Sequence, residues 1–227
     1  MKKFCVLLAL LLSHILSDAQ RVNISFNAAL DGKDPLHNLV LVKNERDTFQ
    51  INQLKFYISN IQFLKDDELI FSELNSYHLI DFNMPASTSL SIKTFRSISY
   101  NSIRFYLGVD SLTNVSGALG GELDPTHGMY WTWQSGYINF KMEGQVSRSE
   151  EPLKEFQFHL GGYQQPFDAL QKVELYVIEE DIKIVLNLNP FLKLINLSRD
   201  HHIMSPSKKA VELSESLAKN FKVKTNE

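Results

Sequence analysis

The sequence predicts an all-β fold, an antiparallel two-sheet β-sandwich with a C-terminal helix. Three observations predict it. Period-2 alternation recurs in short segments, most cleanly in Tyr137-Ile138-Asn139-Phe140-Lys141-Met142-Glu143, the signature of strands with one buried face. Long helical patterns are scarce, so antiparallel sheets must cover each other. A single helix signal stands near the end, where Ser205-Pro206 supplies an N-cap and a first-turn proline ahead of Val211, Leu213, Leu217, Ala218 and Phe221.

Taken in order, the chain opens on Met1-Lys2-Lys3, an apolar run from Phe4 to Leu12, and then Ser17-Asp18-Ala19-Gln20. This is the positive, apolar, small-residue order of a signal peptide over 1–20. The run is too short for a membrane span, which needs about 20 residues, and no other stretch is long and apolar enough. The expectation is an exported protein, periplasmic, on the cell surface or secreted. A β-sandwich domain follows over 21–188, and 189–227 forms a C-terminal arm and helix of the same domain.

Strands are expected at Val22–Phe26, Leu54–Phe63, Ser102–Val109, Tyr137–Glu143 and Phe156–Leu160. Val173–Val177 and Ile182–Leu188 read as a closing pair. The alternation of Leu54–Phe63 changes phase at Phe56-Tyr57, which suggests a bulge. Leu112–Gly136 is a long connection rich in Gly, Asp and Pro, and such loops are usually functional or partly structured.

Composition narrows the chemistry. The formal charge is −3, which argues against a basic surface for nucleic acid. The one cysteine, Cys5, lies inside the signal segment, so thiolate metal sites and cysteine nucleophiles are excluded from the mature chain. Any metal must be held by His, carboxylate, Met or backbone groups. Gly-x-Ser-x-Gly, His-Glu-x-x-His, phosphate-cradling and dinucleotide motifs are all missing.

The densest stretch is Leu123-Asp124-Pro125-Thr126-His127-Gly128-Met129-Tyr130-Trp131-Thr132-Trp133-Gln134-Ser135-Gly136-Tyr137. His127 and Met129 are suitable types for copper. The plainer reading is a capped turn feeding a strand, with Trp131 and Trp133 as core. Alternation places His159 opposite Phe156, Phe158 and Leu160, where a solvent-facing strand histidine is the plain expectation. His201-His202, ahead of Met204, would point to opposite faces on a strand and read as polar linker. His37 and His78 read as structural.

Several segments together resemble the MbnP-like, or methanobactin-partner, family. They are Leu54-Lys55-Phe56-Tyr57-Ile58-Ser59-Asn60-Ile61, Tyr106-Leu107-Gly108-Val109, Gly128-Met129-Tyr130-Trp131-Thr132-Trp133, Lys141-Met142-Glu143-Gly144, Phe158-His159-Leu160-Gly161 and Met204-Ser205-Pro206. The Gly-Met-Tyr-Trp-x-Trp block is specific, and the others are weak alone. The resemblance implies an exported β-sandwich associated in some relatives with copper, held by histidines beside a tryptophan oxidised to kynurenine. By motif position it points to His159 and His127 as ligands, with Met129 and Trp131 beside them and Trp131 or Trp133 as the indole concerned. It implies copper as the bound metal, a protein or small-molecule copper donor as partner, and buffering or delivery rather than catalysis. The alternatives are a cell-envelope interaction module with the same sandwich and no metal site, and a small oxidative copper enzyme.

Overall fold

The computed structural model describes residues 20–30, 32, 42–44, 47–134, 136–148, 154–179, 181–196 and 199–224. The expected signal segment up to Ala19, with Cys5, lies outside the described residues, and so does His37.

Strands in chain order are β1 (Arg21–Ala29), β2 (Val42–Asn44), β3 (Asp47–Lys65), β4 (Glu68–Ser72), β5 (Tyr77–Asp81), β6 (Ser89–Lys93) and β7 (Ser102–Leu107). They continue as β8 (Tyr130–Trp131), β9 (Gly136–Arg148), β10 (Lys154–Gly161), β11 (Gln171–Tyr176), β12 (Asp181–Asn187), β13 (His202–Ile203) and β14 (Phe221–Val223). The helices are α1 (Ser111–Val115), α2 (Asn189–Lys193) and α3 (Lys208–Ala218). No helix among the described residues is long and apolar enough to cross a membrane.

The sandwich expected from the sequence is present. A four-stranded sheet in the order β14-β12-β1-β6 faces a ten-stranded sheet built on β3. Lys55 and Phe56 pair with both β9 and β5, and Ile58 and Ser59 pair with both β7 and β5. Strands β9 and β7 therefore lie end to end along one edge of β3, with β5 across their junction on the other. Between the sheets, Phe26 meets Phe56 and Phe105 edge-on, at centroid distances of 6.2 and 5.8 Å. Phe221 and the α3 residues Ala210, Leu213 and Leu217 close the same core.

Four expectations need correction. The sheets are not purely antiparallel, because β1 pairs β12 and β10 pairs β13 in parallel. Val173–Val177 and Ile182–Leu188 are not a closing pair: β11 pairs β7 in the large sheet, whereas β12 lies beside β1 in the small one. Alternation marks a strand's buried face but not the sheet it joins, and a strand crossing between sheets is free to arrive parallel. The phase change at Phe56-Tyr57 carries no bulge; β3 shifts register at Ile51/Gln53 and Ser59/Gln62 instead. Both Phe56 and Tyr57 are fully buried because both faces of the sheet are covered there. Finally, Ser207 rather than Ser205 caps α3, its hydroxyl accepting from the Ala210 amide at 3.1 Å, and Phe221 begins β14 instead of ending the helix.

The long connection is partly structured, as expected. It contains α1, two 3-10 turns (Gly121–Leu123 and Pro125–His127) and β8. Its Leu123, Met129 and Trp131 complete a second apolar cluster on the outer face of the large sheet with Tyr57, Leu79, Val109, Tyr137 and Ile138.

Candidate metal-binding face

The register of the large sheet aligns polar side chains on this outer face. Lys55, Lys141 and His159 stand in one cross-strand row. Gln53, Glu143, Gln157 and His202 stand in the next. Cross-strand partners share a face and touch, so neighbouring rows form one polar patch beside the second apolar cluster.

His159 faces away from Phe156, Phe158 and Leu160, as alternation predicts, yet it is buried, with 5 % of its surface exposed. Chain beyond its own strand covers what would otherwise be a wet face. Its Nε2 lies 2.6 Å from Glu143 Oε1, and Lys141 Nζ lies 3.2 Å from the same oxygen. Burial pulls the imidazole below its usual pKa; Glu143 draws it back up in part, and the Lys141 charge lowers it further. Burial alone would raise Glu143, but the His159 hydrogen bond and the Lys141 ammonium outweigh it and hold the carboxyl below its usual range. A neutral imidazole beside an ionised carboxylate must donate from Nε2. Its lone pair is then on Nδ1, which is buried and without a hydrogen-bond partner.

His127 ends a 3-10 turn capped by Asp124, whose carboxylate accepts from the Thr126 amide at 2.8 Å. Gly128 follows at φ 71°, a left-handed position that glycine adopts without Cβ strain. His127 Nδ1 lies 3.1 Å from the Glu122 carbonyl. A carbonyl can only accept, so Nδ1 carries a proton, and in the neutral ring the lone pair is on Nε2. Both histidines thus anchor one ring nitrogen on an oxygen and leave the other basic, the outer-shell arrangement that metal-ligating imidazoles use.

Trp131 is buried against Gly161, where an added Cβ would come within 2.8 Å of the indole Cζ3. Gly161 lies two residues beyond His159 on the same strand face, roughly 7 Å along β10. The Trp131 Nε1–H also lacks a partner, as does Asn139 Nδ2 at the β7–β9 junction. Trp133 is 65 % exposed, its ring centroid 5.9 Å from that of Trp131, so of the two tryptophans only Trp131 is core. Met129 is fully buried in the second apolar cluster. His78 bonds Glu73 at 2.8 Å, away from this patch, which fits its structural reading.

Among the described residues, no three His, Cys, Asp or Glu side chains converge as a metal cage. The donors that do suit copper are the free nitrogens of His159 and His127, imidazole being a ligand copper accepts. Sequence reasoning missed the partners around them. Lys55 and Lys141 are polar positions on alternating strands, and nothing local signals that a loop will bury them. His201-His202 read as linker, but β13 sets His202 opposite Gln157 on this face, diagonal to His159.

Comparison with known proteins agrees with this architecture. No curated protein matches the chain. The solved structure of MbnP from Methylosinus trichosporium is similar in fold, with a TM-score of 0.50 and 16% identity over 78% of each chain. A model of the MbnP family matches residues 19–206, most of the sequence, and the chain belongs to the MbnP family.

Proposed function

We propose that this protein is an exported copper-binding protein that buffers or delivers copper without turning over a substrate. The single observation that carries the reading is the buried, unpartnered Nδ1 of His159, its opposite nitrogen fixed on Glu143. Leaving a buried polar atom unmade costs about 1–3 kcal/mol, and such atoms call for an occupant. A soft cation coordinated by a neutral imidazole is one that the family suggests. His127 is the second donor, and His202, set opposite Gln157 on the same face, is a candidate to complete a site of low coordination number. Trp131 is the indole beside it. Copper is the cargo of this site, and a protein or small molecule that hands it over is the expected partner.

Competition for Cu(I) against a chelator tests the reading. Wild type should retain copper, and His159→Ala and His127→Ala should each release it more readily. A wild type that retains no more copper than its double variant would sink the proposal. One observation favours a second reading, a cell-envelope interaction module without a metal site: no three-ligand cluster is formed among the described residues. Absence of copper retention would support that module.

A further inference from the structure

The two histidines stand on different elements, one on a turn and one on a strand, and two ammonium groups lie between those elements. Lys55 Nζ donates to the His127 carbonyl at 3.3 Å and pairs with Asp81 at 3.0 Å. Lys141 Nζ donates to the Gly128 carbonyl at 3.2 Å and pairs with Glu143, which holds His159. The lysine side chains are 13% and 14% exposed. Two cations directly opposite each other across β3 and β9 repel. That arrangement persists because each has a carboxylate on one side and a turn carbonyl on the other. Lys141 differs from Lys55 in one respect: its carboxylate is the one that orients His159.

We infer that Lys141 is a positioning residue that fastens the His127 turn to the Glu143–His159 pair, so that the two imidazoles are held in fixed relation. This rests on the copper reading for its consequence but not for its geometry. Three successive contacts link the turn to the histidine: Gly128 carbonyl to Lys141, Lys141 to Glu143, and Glu143 to His159. Lys141 touches neither free imidazole nitrogen through these contacts, so it acts through the turn and not as a ligand. Lys55 holds the adjacent carbonyl, that of His127, at the same end of the turn and gives a comparison that leaves Glu143 alone.

Two measurements on the full chain test it. In copper-free protein, the amides of His127 and Gly128 are bonded within the turn, to the Asp124 and Pro125 carbonyls. Lys141→Met should speed their hydrogen exchange, and Lys141→Arg should restore it. Lys141→Met should also weaken Cu(I) binding about 10- to 100-fold, the usual range for an outer-shell partner, with His127→Ala adding nothing further in that background. Unchanged exchange, or effects of Lys141→Met and His127→Ala that multiply, would overturn the inference. If Lys141→Met does not fold, Lys141→Gln replaces it in both experiments. A wild type that binds no copper would defeat the proposed function alone, and the exchange result would still decide whether Lys141 holds the turn.

Discussion

The two faces of the large sheet differ in kind. The inner face is closed by aromatic rings that need only each other: Phe56 contacts Phe26, Phe82, Phe140 and Phe221. The outer cluster sets Tyr57, Trp131 and Tyr137, apolar in body and polar at the tip, among Leu79, Val109, Leu123, Met129 and Ile138. Tyr57 donates to the Glu122 carbonyl at 2.9 Å, and Tyr137 accepts from the Leu119 amide at 2.9 Å. Trp131, Asn139 and His159 there each keep a buried polar atom without a partner. The inner face stabilises the sandwich; the outer face holds the long connection down and leaves polar atoms unspent. Stability and binding should therefore separate by face.

The largest effect should come from the inner face. Phe56→Ala should cost about 3–5 kcal/mol in denaturant unfolding, as large core truncations do, while the folded fraction keeps its copper affinity. A proportionate loss of affinity would mean that the faces are not separable. On the outer face, Gly161→Ala would place a Cβ 2.6 Å from the Tyr137 carbonyl oxygen and 2.8 Å from the Trp131 ring. It should destabilise by about 1–3 kcal/mol through overpacking and shift the near-UV dichroism of Trp131. An unchanged spectrum would show that the indole is not seated there.

Asp110 sharpens the comparison at the rim of the outer cluster. It caps α1 through the Thr113 amide and accepts from the Tyr77 hydroxyl. Burial would raise its carboxyl, but the bonds from Tyr77 and Thr113 outweigh burial and hold it below the usual 3.8. Its contribution is present above that value and fades as pH falls through the lower folded one. Asp110→Ala should cost about 1 kcal/mol near neutrality, typical of a lost cap, and flatten the acid limb of stability against pH. Tyr77, raised to about 12 by burial and by Asp110, should ionise in that range by ultraviolet titration, later than a free phenol. The smallest effect concerns the indoles: copper should still quench fluorescence in Trp133→Phe and much less in Trp131→Phe. The reverse order would place the metal near the exposed ring.

What the sequence made legible follows the same division. Strands whose polar side is open to solvent, such as β1 and β12, announced themselves by alternation, and so did the sandwich. At Phe56-Tyr57 the pattern blurred because distant chain covers the second face, information that no local window contains. The burial of His159 was hidden for the same reason: its strand neighbours specify its direction, but chain distant in sequence decides whether water reaches it. His127 was visible from the Pro and Gly that bound its turn. Lys55, Lys141 and the β13 strand bearing His202 were not, since each gains its role only from cross-strand register.

The central claim is that the free Nδ1 of His159 is a metal donor. Imidazole ¹⁵N resonances in the full chain, recorded before and after addition of Cu(I) under reducing conditions, test it most directly. The account predicts a neutral His159 with the proton on Nε2 near pH 7, and a Nδ1 resonance that moves when copper is added. A proton on Nδ1 in the copper-free protein, or a Nδ1 resonance indifferent to copper, would contradict it.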